Sequence, residues 1–168
     1  IVDLGDEIKE ISPYCVFGCN FSIRKDILLE AGGFHPDGMP KELIKYRGDG
    51  ESYVSKYIQE SDYRTIYNPK ASVYHLCSTN RMSKEYFIKR SYSQGVSDSY
   101  TNIRENVKMG IFKNKLKFLI KKYILRRDAA IDYGYLCGYI YHQNEVKKDQ
   151  ALLEWVRRGG YINNGTIK

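Results

Sequence analysis

Between Gly18 and His75 the chain strings together residue types that sites use: Gly18-Cys19-Asn20, then Asp49-Gly50-Glu51, then a closing His75, with Arg81 shortly after. A carboxylate such as Glu51 can take a proton. Two carboxylates one residue apart, Asp49 and Glu51, can instead hold a hard divalent cation through oxygen. His75 offers a ring nitrogen, and Arg81, followed by Lys84 and Arg90, can neutralise phosphate charge. Each also has a plainer reading. A lone Glu at a helix start is a favourable first-turn carboxylate, a His at a strand end is a polar group satisfied by backbone, and the cations are a solvated helix face. Cys15, Cys19, His75 and Cys77 offer zinc-type ligands, but a Cys-x3-Cys with a His-x-Cys fits structural zinc spacing poorly.

The elements that must position these residues follow from local pattern. Val16-Phe17 reads as a strand ending at Gly18, where a missing side chain marks close approach of a ligand or another backbone. Ser22 is placed as an N-cap for a helix over Arg24 to Ala31, closed by Gly32-Gly33 in the left-handed conformation with Phe34 packing back. Residues 35–46, with Pro36, Gly38 and Pro40, read as a mobile loop. Glu51 opens a helix through Glu60 whose buried stripe is Tyr53, Val54, Tyr57 and Ile58, with Asp49 just ahead of it. Thr65 to Tyr67 and Ser72 to Tyr74 read as short strands either side of Pro69. From Ser83 the pattern is helical: Glu85 to about Gly95, Asp98 to Met109, Phe112 to Arg126, Asp128 to Asn144 and Lys148 to Arg158.

The 168 residues, 42% hydrophobic with sixteen Tyr and six Phe, suffice for one ordinary domain with or without a helical appendage. The start at Ile1-Val2-Asp3 has no initiator Met, basic n-region or apolar h-region, so it reads as a cut inside a longer protein rather than as a signal peptide. Ala129 to His142 is too short for a membrane span and contains Asp132. Four scattered cysteines suit a reducing compartment, so a cytoplasmic location is expected. Charge is divided unevenly. Residues 1–75 carry 9 Lys/Arg against 12 Asp/Glu, and residues 76–168 carry 18 against 8, so the whole basic excess follows His75. That asymmetry points the second part at anions, either membrane lipid or phosphate.

Taken in order, these motifs resemble the C-terminal half of a bacterial family 2 glycosyltransferase of the GT-A fold. The family pattern is a Gly-x-Asn strand end, a helix ending Gly-Gly-Phe, a Glu-Asp pair opening a helix, and a Pro-x-Ala strand ending in His; residues 16 to about 104 follow it. In the family the second acid lies 18 residues before the Pro and 24 before the His, and from Pro69 and His75 both distances fall on Glu51. The chain departs from the family twice, with Glu at the second acid and Gly50 at the first, Asp49 being displaced by one.

The resemblance implies an α/β fold in which residues 1–100 are the C-terminal, acceptor-side portion of a GT-A domain and residues 101–168 a basic α-helical extension. It implies inverting transfer of a sugar from a nucleotide-sugar donor to a saccharide or lipid-linked saccharide, as in capsule, lipopolysaccharide or other surface polysaccharide synthesis. Glu51 would be the catalytic base, with Gly18, Asn20, Asp49 and Arg81 binding substrate and His75 approaching the metal. A divalent cation, Mg²⁺ or Mn²⁺, is implied, held mostly by an N-terminal nucleotide-binding half without which this piece would be inactive.

In the basic part, Phe112, Leu116, Leu119, Ile120, Tyr123 and Ile124 share one helical face, with Lys113, Lys115, Lys117, Lys121 and Lys122 around the rest. Such a helix can lie on an anionic leaflet, placing the protein peripherally on the inner face of the cell membrane, or pack against Tyr133, Tyr135, Leu136 and Tyr139. The alternative to an enzyme is a non-catalytic basic module contacting nucleic acid or anionic membrane. No helix-turn-helix, RNP-type or zinc-finger signature supports nucleic acid, and none is expected as partner.

Overall fold

The computed structural model describes residues 4–107 and 111–162. In chain order these form a short strand β1 (Lys9–Ile11), single 3-10 turns at Pro13–Cys15 and Gly18–Asn20, helix α1 (Lys25–Glu30), a 3-10 segment at Lys41–Tyr46, helix α2 (Glu51–Glu60), strand β2 (Thr65–Tyr67), a 3-10 turn at Thr79–Met82 and helices α3 (Lys84–Arg104), α4 (Ile111–Leu119), α5 (Ala130–Lys148) and α6 (Gln150–Arg157). Helix α4 runs into a wide π-type turn at Ile120–Ile124. The chain gathers into two compact units, one from residues 4–35, 50–76 and 159–162, the other from residues 36–49, 77–107 and 111–158.

The first unit is built on α1 and α2. Helix α2 forms because Val54, Ser55 and Ile58 recur on one face, and Val54 and Ile58 bury against Ile27 of α1, with Phe21, Ile23, Leu28, Tyr57 and Tyr63 around them. Each such buried aliphatic side chain contributes about 1.5–3 kcal/mol. Helix α1 ends as the sequence indicates: Gly33 N–H donates to the Leu28 carbonyl and Gly32 N–H to the Leu29 carbonyl, the paired bonds of a Schellman turn, with φ of 84° and 86° at the two glycines. Its start differs, since Arg24 rather than Ser22 holds the N-cap position and no side chain caps it. Glu30 at its end accepts hydrogen bonds from the hydroxyls of Tyr57 and Tyr63. Residues 159–162 return to this turn, where Tyr161 and Ile162 N–H groups both point at the Gly32 carbonyl.

Strand β2 lies where expected, and its antiparallel partner is β1, with Lys9 opposite Tyr67 and Ile11 opposite Thr65. The strands expected at Val16-Phe17 and Ser72 to Tyr74 do not form among the described residues. Phe17 precedes the 3-10 turn that begins at Gly18, and residues 71–76 run exposed outside any strand.

The second unit is a helix pair, α3 against α5, closed by α6. Helix α3 runs unbroken through Gly95, where the sequence suggests two helices. Gly95 and Gly138 are the reason. A Cβ on Gly95 would stand 2.1 Å from the Tyr135 carbonyl oxygen, and one on Gly138 would stand 2.0 Å from that of Tyr92. Glycine costs about 1 kcal/mol inside a helix, and here it lets two backbones touch. Tyr100, Val146, Leu152 and Val156 form the core, flanked by Tyr46 from Lys41–Tyr46, the stretch expected to be a mobile loop. The Trp155 indole donates to the Tyr46 carbonyl at 3.2 Å. The expected helix at Asp98 to Met109 reaches into positions outside the described residues, and α3 itself ends at Arg104.

Candidate functional site

Glu51 is the first residue of α2, and the backbone before it explains one departure from the expected pattern. Gly50 has φ 58° and ψ −126°, the dihedrals of the first central residue of a type II′ turn, which favour glycine strongly over any residue with a Cβ. A carboxylate side chain at position 50 would have to bear that strain. The acidic role therefore cannot sit there without a different turn, and the neighbouring acids stand at 49 and 51.

The Glu51 carboxylate is half-buried at the helix N-terminus, where the aligned backbone N–H groups favour a negative charge. Gly18 N–H donates to Glu51 Oε1 at 3.2 Å. A Cβ on Gly18 would come within 3.1 Å of the same oxygen. Glycine thus gives the 18–20 turn its close approach to the carboxylate, and any side chain there would crowd that oxygen. One turn along α2, the buried Ser55 hydroxyl donates to the Pro13 carbonyl at 3.2 Å, tying the segment that leads into Gly18 to the helix that carries Glu51.

Asn20 extends the patch. Its side-chain amide donates to the Ala71 carbonyl at 2.6 Å. Ala71 closes a turn in which its N–H bonds the Asn68 carbonyl and Asn68 Oδ1 accepts from Lys70 N–H, the local bonding that asparagine favours ahead of proline. Gly18, Asn20, Glu51 and the turn at 68–71 therefore adjoin on one face of the first unit, with Gly18 and Asn20 exposed. His75 lies four residues past Ala71 on the exposed run 71–76. Among the described residues no group of three or more His, Cys, Asp or Glu side chains comes together to hold a metal ion. Cys15, Cys19, His75 and Cys77 form no such group among the described residues.

The other two expected substrate residues belong to the second unit. The Asp49 carboxylate accepts the Thr101 hydroxyl of α3 at 2.7 Å, which gives it a fold-holding partner. Arg81 lies exposed in the turn at Thr79–Met82. Lys84 forms an ion pair with Asp128, whose carboxyl this hydrogen bond holds below the ordinary aspartate range.

The second unit also contains a buried polar set that residue types alone do not announce. His142 and Ser99 are fully buried, with Ser99 Oγ 2.8 Å from His142 Nδ1 and the Gln143 amide donating to Ser99 Oγ at 3.1 Å. Burial pushes the His142 imidazole down to about 4, against a slight opposing pull from the Lys45 backbone. The Tyr135 hydroxyl donates to Asp98 at 2.7 Å, and burial, then that bond, raises the phenol well above its ordinary value. In the sequence the only trace of this set is that Ser99 and His142 fall on the apolar sides of their helices.

No protein-family model matches the chain, and no solved structure does. Over 93 residues, 55% of its length, the chain is 26% identical to the glucosyl-dolichyl phosphate glucuronosyltransferase of Haloferax volcanii. The matched stretch covers 29% of that archaeal protein, so the chain spans under a third of the relative it matches. This similarity relates the chain to a glycosyltransferase in general terms. It lends nothing to a bacterial origin.

Proposed function

We propose that this chain is the acceptor-side part of an inverting sugar transferase of the GT-A, family 2 type, with Glu51 as the base. The observation that carries the reading is the setting of Glu51: a half-buried carboxylate opening a helix, bonded to the Gly18 backbone and kept clear by glycine, in a chain related to a glycosyltransferase. In the reaction the acceptor oxygen attacks the anomeric carbon of a nucleotide sugar. The bond from that carbon to the diphosphate breaks, the acceptor's proton passes to Glu51, and the nucleoside diphosphate leaves. Asn20 and Gly18 shape the acceptor side of the cleft.

On this reading the donor nucleotide and the divalent cation that a diphosphate requires, Mg²⁺ or Mn²⁺, are held mostly by an N-terminal nucleotide-binding half, with His75 approaching the metal. The relative's name specifies a lipid-linked acceptor, a glucosyl-dolichyl phosphate; a saccharide or lipid-linked saccharide is the acceptor class proposed here, in surface polysaccharide assembly. The test is an assay of the full-length protein with a panel of nucleotide sugars and saccharide acceptors, reading nucleoside diphosphate release and the anomeric configuration of the product. Release coupled to an inverted linkage supports the reading. A retained linkage, or no transfer from any donor, overturns it.

A further inference from the structure

We infer that the segment from α4 through Arg127 is a docking surface for an anionic phospholipid membrane. Helix α4 packs on α5 through Phe118 and Tyr133, whose ring centroids lie 5.7 Å apart, and the π-type turn after it adds the Lys121 to Asp132 ion pair. That contact leaves a second apolar face uncovered. Phe112 is 71% exposed, Ile124 71%, Tyr123 65% and Leu116 and Leu119 45–46%. Beside it, between α4 and α5, opens an apolar groove of about 540 Å³ lined by Phe118, Leu119, Leu136 and Ile140.

Charge decides what covers this face. Residues 111–127 contain five Lys and two Arg and no acidic residue. Lys122 lies over the Phe118 and Tyr123 rings, 5.5 and 5.1 Å from their centroids, so its cation rides at the border of the apolar face. An uncovered apolar stripe bordered by cations on one helix is the pattern of a helix lying in the plane of a lipid interface, with side chains in the acyl boundary and lysines among headgroup phosphates. Nucleic acid would satisfy the lysines but leave the aliphatic Leu116, Leu119 and Ile124 with nothing to bury against. No described helix is long and apolar enough to cross a membrane, so the contact is one of surface attachment. The inference stands apart from the sugar-transfer reading, and either can fail alone.

The experiment is sedimentation of the full chain with vesicles of phosphatidylcholine, with and without phosphatidylglycerol, across a salt series, beside binding to single-stranded DNA. Binding is expected with phosphatidylglycerol, weakening as salt rises. Replacing Lys115, Lys117 and Lys122 together by Gln should reduce it about a hundredfold, at about fivefold per cation removed. Phe112→Ser with Ile124→Ser should reduce it to a similar degree while leaving helicity and melting unchanged, since both side chains are mostly exposed. Failure of the wild-type chain to bind, equal binding to both vesicle types, binding that survives both variants, or tighter binding to DNA than to vesicles would each overturn the inference.

Discussion

In the first unit the telling glycines stand where the chain must turn, and in the second they stand where two helices must touch. Gly32, Gly33 and Gly50 have positive φ and shape the ends of α1 and α2. Gly95 and Gly138 lie inside regular helices and matter for the volume they lack. The cores differ in the same sense. Near Glu51 the buried cluster is Ile27, Val54 and Ile58, whereas α3, α5 and α6 enclose Tyr100, Val146, Leu152 and Val156 along with a buried Ser–His pair. The core of the second unit lies between long helices, and the candidate site stands at turns and at the start of α2. A site assembled from turns can be tuned by single residues without dismantling the fold.

The largest effect is expected from Gly138→Ala. The added methyl would meet the Tyr92 carbonyl at 2.0 Å, so α3 and α5 must part, at a cost of about 3 kcal/mol. Urea unfolding should show it, and a midpoint equal to wild type would remove close helix contact as the organising feature of the second unit.

The next effect is pH. His142 is buried with its imidazole held down to about 4, from an ordinary value of 6.5. Between those values the unfolded chain binds a proton that the folded one does not, so stability is full above pH 6.5 and falls as pH drops toward 4, by about 2–3 kcal/mol. His142→Gln should flatten the difference across that window, and unchanged pH dependence in the variant would assign the acid sensitivity elsewhere.

Smaller again is Gly50→Ala, which tests the turn ahead of Glu51. Strain at φ 58° should cost about 1–2 kcal/mol in thermal unfolding. A variant as stable as wild type would mean that the turn tolerates a side chain, and with it the acid that the resemblance leads one to expect there.

Where the sequence could be read and where it could not divides along the same physical line. Helix α2, the glycine-closed end of α1 and strand β2 were legible because their signals are local: a stripe at helical spacing, paired glycines, a short β-branched and aromatic run. The pairing of β2 with Lys9–Ile11 was not, because β1 has no strong pattern of its own. Val16-Phe17 and Ser72 to Tyr74 carry strand-like residues without a ladder, since a strand is made by its partner more than by its composition. Gly95 reads as a break and serves as a contact, a difference that only the opposing backbone of α5 decides. In the site, the family spacing to Pro69 and His75 pointed to Glu51, and the glycine at 18 indicated a close approach but not the 3-10 turn that makes it. That Asn20 would reach Ala71, and that Asp49 would be engaged by Thr101, depends on contacts 51 and 52 residues apart in sequence that no local pattern encodes.

Whether Glu51 is the base is decided by turnover of the full-length protein carrying Glu51→Gln, read beside its melting curve. Glutamine keeps the acceptor oxygen for the Gly18 N–H but cannot take a proton. A kcat reduced by about 10²–10⁴-fold is expected, with donor KM and thermal stability close to wild type. Near-wild-type turnover would contradict it and return Glu51 to the role of a first-turn helix carboxylate.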